Sequence, residues 1–208
     1  MRWRGLVLFC AGAILLILAN VGLVFRNRAL QDRIRGLSEL PAGVAAPPLD
    51  GLHLSGAPFR PDFSAGPTLI LAFSQHCGAC ELNWAPWRRL LSSVDPRVQV
   101  VFVDIDSSSV PSRYLTKHQI RSGDVMVSVS ATSILNYKFR TSPQTLLVTT
   151  QSRIYGTWSG LLSESQLTEI RSSIPRVLSS AARPPPADSN VLRFEQTPNN
   201  ARPEQKTR

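Results

Sequence analysis

An apolar segment that runs directly into two closely spaced cysteines constrains the fold of this chain more than any other feature. Thr68–Phe73 is apolar on both faces, which is typical of a strand buried in the centre of a sheet. Cys77 and Cys80 follow, and residues 79–92 then have helical spacing. The side chains expected on the buried side of that helix are Trp84, Trp87 and Leu91. The sequence therefore predicts a strand that delivers a CxxC pair to the beginning of a helix.

This placement of the cysteines predicts redox chemistry. The first turn of a helix has unpaired backbone N–H groups and the positive end of the helix dipole, and both stabilise a thiolate. Because the thiolate attacks disulfides, Cys77 is the predicted nucleophile, and Cys80, one turn on, is placed to resolve a mixed disulfide. His76 and Glu81 flank the pair as predicted modulators. His76 either stabilises the thiolate or is an exposed histidine without that role.

Three other uses of a CxxC pair fit the sequence less well. Zinc needs four ligands, but the other cysteine, Cys10, lies far away, and the histidines have no ligand spacing. A c-type haem site needs histidine directly after the second cysteine, where Glu81 stands. A structural disulfide across two residues would close a very small ring and restrict the unfolded chain little. We therefore predict no metal and no cofactor.

The N-terminal region predicts a membrane anchor. Residues 5–25 form an uncharged, mostly aliphatic stretch of 21 residues, long enough as a helix to cross a hydrocarbon core of about 30 Å. No pair of small residues marks a cleavage site near its end, and bulky Phe9 argues against a lipid attachment at Cys10. The predicted organisation is a transmembrane anchor over residues 1–25 and a polar helical stalk over residues 26–41.

The orientation of this anchor rests on two opposing signals. More arginines follow the span than precede it, which favours a cytosolic domain. A short basic start and a pair of cysteines favour export into an oxidising compartment. We predict a single-pass membrane protein with its domain on the extracytoplasmic, periplasmic side.

Charge and composition divide the remainder of the chain. The formal net charge of +9 is spread as +4 over residues 1–40, +2 over residues 41–175 and +3 over residues 176–208. The central part is thus nearly balanced, which predicts no nucleic-acid partner. Residues 176–208 are rich in proline and polar residues and are predicted to be a disordered tail. Residues 42–175 are long enough for one well-buried domain.

The pattern along this domain predicts an α/β fold. A small hairpin is expected within residues 41–61, further strands over residues 98–104, 144–150 and 154–158, and helices over residues 111–120, 130–137 and 163–174. Strand, helix and strand followed by a hairpin and a helix imply a mixed central sheet with helices on both faces.

These features together resemble the thioredoxin fold, and most closely the membrane-anchored thiol–disulfide oxidoreductases of the TlpA-like, redoxin-domain family. The resemblance covers residues 42–175. It rests on the strand that leads into Cys77-Gly78-Ala79-Cys80, on Thr141-Ser142-Pro143 directly before a strand, and on Gly160 with the closing helix. The segment between Asp104 and Pro143 is similar to the element that this branch inserts into a minimal thioredoxin.

The resemblance implies that Ser142-Pro143 is a cis peptide bond and that this loop binds substrate. The backbone of Ser142 is expected to hydrogen-bond an extended client chain beside the cysteines. One departure concerns the buried acid that assists many of these enzymes. Its usual positions hold Leu71 and Asn83, which do not titrate, and Glu81, the nearest carboxyl group, is expected to point to solvent.

The predicted function is that of a membrane-tethered thiol–disulfide oxidoreductase that exchanges or reduces disulfides of client proteins. Its predicted partners are client thiols and disulfides, an upstream redox protein and the membrane. Two alternatives stay open. One is a peroxiredoxin-like thiol peroxidase, for which Ser74 holds the hydroxyl position but Ile70 stands in place of proline. The other is a non-catalytic, membrane-tethered assembly or binding module.

Overall fold

The computed structural model describes the backbone of residues 2–181, with the side chains of residues 12–27, 29–30 and 36–180. Its helices are α1 (Arg2–Ser38), α2 (Gly78–Leu91), α3 (Ser112–His118), α4 (Ala131–Asn136) and α5 (Glu164–Ala181). Its strands are β1 (Gly51–His53), β2 (Pro58–Phe59), β3 (Thr68–Phe73), β4 (Gln99–Asp104), β5 (Val125–Val127), β6 (Gln144–Val148) and β7 (Ile154–Ser159).

All of these strands join one sheet, in the order β2-β1-β5-β4-β3-β6-β7. The strands β3, β4 and β5 pair in parallel, while β6 and β7 continue the sheet antiparallel on one side. On the other side, β1 pairs antiparallel with β5 and with β2, which is the predicted hairpin. The predicted mixed sheet is therefore confirmed, with β3 in its interior between β4 and β6.

The side chains of β3 contribute to two hydrophobic cores, one on each face of the sheet. Leu69, Leu71 and Phe73 point into the core formed with α2 and α5. Ile70 and Ala72 point into the opposite core, which includes side chains from the α4 region. Every residue of β3 is buried, as a strand covered on both faces requires. Helices thus lie on both faces, as the sequence predicted.

The buried side of α2 differs from the prediction at one position. Trp84 and Trp87 are buried as expected, and the indole N–H of Trp87 donates to the hydroxyl of buried Thr145 at 2.9 Å. The third core residue is Leu90, and the predicted Leu91 is only half-buried. Residues spaced by three along a helix lie on the same face, so Leu90 continues the row of the two tryptophans toward the sheet.

The predicted anchor and stalk lie on one continuous helix, α1. Among the described residues, no helix combines the length and the apolar character that crossing a bilayer requires. Residue 1 and the side chains of residues 2–11, with which the predicted anchor begins, lie outside the described part.

The C-terminal end of α1 is attached to the domain. The Lys138 ammonium donates to the carbonyl oxygens of Gly36 at 3.2 Å and Glu39 at 2.9 Å. The side-chain amide of buried Gln144 donates to the carbonyl oxygen of Ser38 at 2.8 Å. These bonds satisfy carbonyl groups near the helix end that have no partner within the helix. The last residues of the predicted stalk therefore belong structurally to the domain.

The final helix is longer than the sequence predicted. Residues 163–174 were the expected helix and residue 176 the expected start of the tail, but α5 continues through Pro175 to Ala181. The extension packs because Val177 is buried and Leu178 is half-buried against the same core as α2. The predicted boundary at residue 176 was wrong for this reason. The predicted disorder of residues 182–208 lies outside the described residues.

Candidate active site

The turn between β3 and α2 presents the two cysteines. After Phe73, the backbone N–H of Cys77 donates to the carbonyl oxygen of Ser74 at 3.2 Å, and the N–H of His76 donates to the Ser74 hydroxyl at 3.1 Å. Cys77 has extended backbone dihedrals and is the N-cap of α2. The predicted arrangement of strand, CxxC and helix start is therefore present.

The two thiols have different environments. Both are free, but Cys77 is partly exposed whereas the Cys80 side chain is fully buried. The backbone N–H of Cys80 donates to the sulfur of Cys77 at 3.3 Å, as an N-cap side chain typically accepts. The same N–H also donates to the carbonyl oxygen of Cys77 at 3.0 Å, so the first turn of the helix directs a shared N–H group at the partly exposed sulfur.

These environments shift the pKa values of the two thiols in opposite directions. Burial by itself raises the pKa of Cys77, but hydrogen bonds with Cys80 and Ser142, together with those from backbone N–H groups of α2, make the net shift downward. Burial is the main reason that the pKa of Cys80 is raised to about 12, with the neighbouring Cys77 sulfur adding to it. Cys77 is therefore suited to be the attacking thiolate, and Cys80 stays protonated.

The predicted substrate loop lies against Cys77. The peptide bond between Ser142 and Pro143 is cis, as the resemblance implied. The Cys77 thiol lies 3.5 Å from the carbonyl oxygen of Ser142, to which it donates a weak hydrogen bond. The carbonyl oxygen of Pro143 accepts the N–H of Gly160 at 2.8 Å, which ties the loop to the end of β7. The four site residues of the CxxC pair and this loop are thus brought together.

The two predicted modulators, His76 and Glu81, lie in different environments. His76 is exposed, and its side chain makes no hydrogen bond to Cys77 within the described residues. Glu81 does not simply point to solvent, which corrects the expectation. Its carboxylate accepts a hydrogen bond from the Lys117 ammonium at 2.6 Å and lies 3.3 Å from His118 Nε2. The reason is that α3, from the inserted segment, packs against the first turn of α2.

A buried carboxyl group near the site was missed by the sequence reasoning. Asp104 ends β4 directly beside Phe73 and is fully buried. One of its oxygens accepts the backbone N–H of Asp106 at 3.1 Å, and the other has no hydrogen-bond partner within the described residues. Burial raises the pKa of Asp104 to about 6. The available signal was an aspartate at the end of a strand predicted to be buried.

The described residues offer no site for a metal. No group of three or more histidine, cysteine, aspartate and glutamate side chains within residues 2–181 is arranged to hold an ion. Asn83, at one of the family's acid positions, is buried and uses its side-chain oxygen to accept the N–H of Leu162 at 2.9 Å. Its role here is to fix the chain that follows β7.

Comparison with solved structures identifies the fold. The chain is similar to the thioredoxin domain of a thiol-disulfide oxidoreductase from Bacteroides vulgatus, with a TM-score of 0.55 and 15% identity over 65% of this chain and 99% of that chain. A peroxiredoxin-like protein from Aquifex aeolicus matches with a TM-score of 0.53 and 12% identity, over 67% and 88% of the two chains.

A thiol:disulfide interchange protein of the thioredoxin family from Chlorobium tepidum matches with a TM-score of 0.50 and 14% identity, over 69% of this chain and 99% of that chain. No protein-family model matches the sequence, and no curated protein does. The structural likenesses establish a thioredoxin-like fold, which confirms the α/β part of the predicted fold class; the predicted transmembrane helix before it stays a prediction.

Proposed function

We propose that this protein is a thiol–disulfide oxidoreductase that reduces or exchanges disulfides of client proteins through Cys77 and Cys80. One observation carries the proposal. An accessible thiol with a lowered pKa caps a helix, one turn away from a buried thiol whose pKa is raised. A two-step exchange requires this difference between the two thiols. The accessible sulfur attacks the client disulfide first, and the buried sulfur reacts only after the mixed disulfide has formed.

The reaction proceeds through a mixed disulfide. The Cys77 thiolate attacks one sulfur of a client disulfide, the client S–S bond breaks, and the departing client thiolate takes a proton from water. Cys80 then loses its proton and attacks the Cys77 sulfur, which releases the second client thiol and leaves a Cys77–Cys80 disulfide. A dithiol protein returns two electrons and two protons to this pair, and that protein is the proposed upstream partner.

The Ser142-Pro143 loop is the proposed docking point for the client. Proline has no backbone N–H, and Ser142 places its carbonyl oxygen beside the attacking sulfur. An extended client segment that hydrogen-bonds the backbone of Ser142 would bring its disulfide within reach of Cys77. This interaction adds a short strand next to the site and requires no specific client side chain.

We also propose that α1, whose first ten side chains lie outside the described residues, tethers the domain to a membrane, with the domain on the periplasmic side. Large apolar side chains from Ile14 to Phe25 are exposed around the helix, and the domain covers none of them. In water such a surface is unfavourable, whereas in a bilayer it is favourable. A thiol that reduces client disulfides has substrates in an oxidising compartment.

The proposal predicts disulfide reduction that depends on Cys77. The full-length protein in mild detergent should reduce insulin with dithiothreitol as electron source, followed as turbidity of the released B chain. Cys77→Ser should abolish the activity, because it removes the attacking sulfur. The matched control is Cys10→Ser, which should leave the rate unchanged. Equal rates for Cys77→Ser and the unmodified protein would refute the assignment.

The two alternatives are distinguished in the same preparations. A thiol peroxidase would consume hydrogen peroxide as its thiols are oxidised, without reducing insulin. A non-catalytic module would keep its cellular role when Cys77 and Cys80 are both replaced by serine. Under the proposed function, Cys80→Ser should instead accumulate clients joined to Cys77, visible as high-mass bands that disappear on reduction.

A further inference from the structure

The Glu81 carboxylate directly follows the buried Cys80. Its effect on the site depends on the proposed role of Cys77 as the nucleophile. Glu81 lies in the first turn of α2, and its backbone N–H donates to the carbonyl oxygen of Cys77 at 3.2 Å. The positive end of the helix attracts a carboxylate as well as a thiolate. A carboxylate free to approach Cys77 would also disfavour its negative charge.

Helix α3 engages both oxygens of this carboxylate. Lys117 Nζ donates to Oε2 at 2.6 Å, and His118 Nε2 lies 3.3 Å from Oε1. The His118 ring is buried and stacks on Trp84, with ring centroids 4.4 Å apart. The Tyr114 hydroxyl accepts the indole N–H of Trp84 at 3.0 Å. One ring stack and one hydrogen bond therefore hold α3 against α2 at Trp84, one turn after Glu81.

The hydrogen-bond partners of the carboxylate and of the nucleophile come from segments next to different neighbours of β3. The Cys77 sulfur contacts Ser142, which precedes β6, and β6 is one neighbour of β3 in the sheet. The partners of Glu81 come from α3, which follows β4, the other neighbour of β3. Both oxygens of Glu81 thus lie against residues of α3, whereas the Cys77 sulfur lies against the loop before β6.

We propose that Lys117 and His118 are positioning residues that hold the Glu81 carboxylate against α3, so that its charge does not oppose formation of the Cys77 thiolate. The inserted helix then has a definite role in the site. It keeps the carboxylate next to the CxxC pair from acting on the attacking sulfur, although no hydrogen bond joins α3 to that sulfur within the described residues.

The charges around this cluster are consistent with such a restraint. The hydrogen bond from Lys117 is the main reason that the pKa of Glu81 is lowered, so the carboxylate is ionised at neutral pH. Burial lowers the pKa of His118, against the opposing effect of Glu81. The other groups that act on the cluster are Arg88 and Cys80 on α2 and Tyr114 on α3.

The test is a double-mutant cycle read on the nucleophile itself. Lys117→Met removes the main restraint, and because the Lys117 side chain is 62% exposed the fold should tolerate it. The pKa of Cys77 is measured from the pH dependence of its alkylation by iodoacetamide, in full-length protein carrying Cys10→Ser. In the presence of Glu81 the substitution should raise that pKa by roughly 0.5, which slows alkylation about threefold at low pH.

The second arm of the cycle separates positioning from a direct effect of the lysine charge. With Glu81→Gln already present, Lys117→Met should change the Cys77 pKa by much less, since no carboxylate is then released. Lys117→Arg should restore the unmodified value. The matched control is Arg89→Met, which removes a cation from the ion pair with Glu164 at the other end of α2 and should leave the Cys77 pKa unchanged.

Two results would overturn the inference. One is an equal rise in both Glu81 backgrounds, which would mean that Lys117 acts on the sulfur directly. The other is no rise in either. Failure of the proposed function is a different result, because in that case the unmodified protein would not reduce insulin at all, whatever the pKa of Cys77.

Discussion

At the scale of single residues, Asp104 is a buried carboxyl group whose burial the fold compensates only in part. It ends a buried strand beside the site, and one of its oxygens has no partner within the described residues. Desolvation disfavours its charged form, which is why its pKa rises from the usual 3.8 to about 6. The exposed His76 acts in the opposite direction, because its positive charge favours the carboxylate. An ionised Asp104 therefore lowers the stability of the folded domain.

This raised pKa predicts how stability depends on pH. The folded chain binds the Asp104 proton more tightly than the unfolded chain does, so its contribution to the free energy of unfolding falls as pH rises from about 4 to about 6. Asp104→Asn cannot ionise. It should raise the free energy of unfolding at pH 8 by about 1–2 kcal/mol, after allowance for screening, and the gain should vanish near pH 4.

Urea unfolding at pH 8, 6 and 4, followed by tryptophan fluorescence, measures this difference. The control is Asp106→Asn, an exposed aspartate two residues along, which should change stability little at each pH. A gain for Asp104→Asn that stays constant across the three pH values would contradict the assignment, because it would not follow the titration.

At the scale of elements, the end of α1 is fixed to the sheet. Besides the bonds from Lys138 and Gln144, the backbone N–H of Ser159 in β7 donates to the Glu39 carboxylate at 3.1 Å. Leu40 packs at the edge of the core that lies on the α4 side of the sheet. The helix is therefore joined to the domain through several contacts, and residues 36–41 complete the domain.

Two truncated chains test this boundary. A chain of residues 36–208 keeps the acceptors of the Lys138 and Gln144 side chains, whereas a chain of residues 42–208 loses them. Because Gln144 is fully buried, its unpaired amide should cost about 1–3 kcal/mol. The longer chain should therefore show the larger free energy of unfolding in urea. Equal stability of the two chains would place the domain boundary at residue 42.

At the scale of the whole molecule, one polypeptide combines the exposed apolar surface of α1, the proposed membrane tether, with the CxxC site at the start of α2. The proposed tether predicts that the full-length protein sediments with membranes and resists extraction by alkaline carbonate. It also predicts that an alkaline phosphatase joined after Ala181 is active, since this enzyme folds only outside the cytosol.

The matched control for this topology lacks residues 1–25. Its phosphatase should be inactive, because nothing would export the domain. An inactive phosphatase on the full-length chain, together with an active cytosolic reporter at the same position, would reverse the proposed orientation. The redox site would then meet the reducing pool of the cytosol.

The central part of the site was predictable because its signals are local. An apolar run of six residues gives β3, the CxxC pair follows it, and the pattern Thr-Ser-Pro before a strand gives the loop at Pro143. The resemblance added that this loop meets the cysteines. Each of these features depends on residues that are close in sequence, and the structure places them as expected.

Long-range packing decided the rest. Glu81 is held by residues 36 and 37 positions away, and Gln144 reaches a carbonyl group 106 positions away. No spacing in the sequence shows that a short polar helix will engage that carboxylate, or that Asp104 will lose contact with water. The chemistry of the CxxC pair is thus determined by residues close in sequence, because a strand and the start of a helix suffice to position the two cysteines. The charges around that pair were decided only by the tertiary structure, since burial and ion pairing depend on which distant segments pack together.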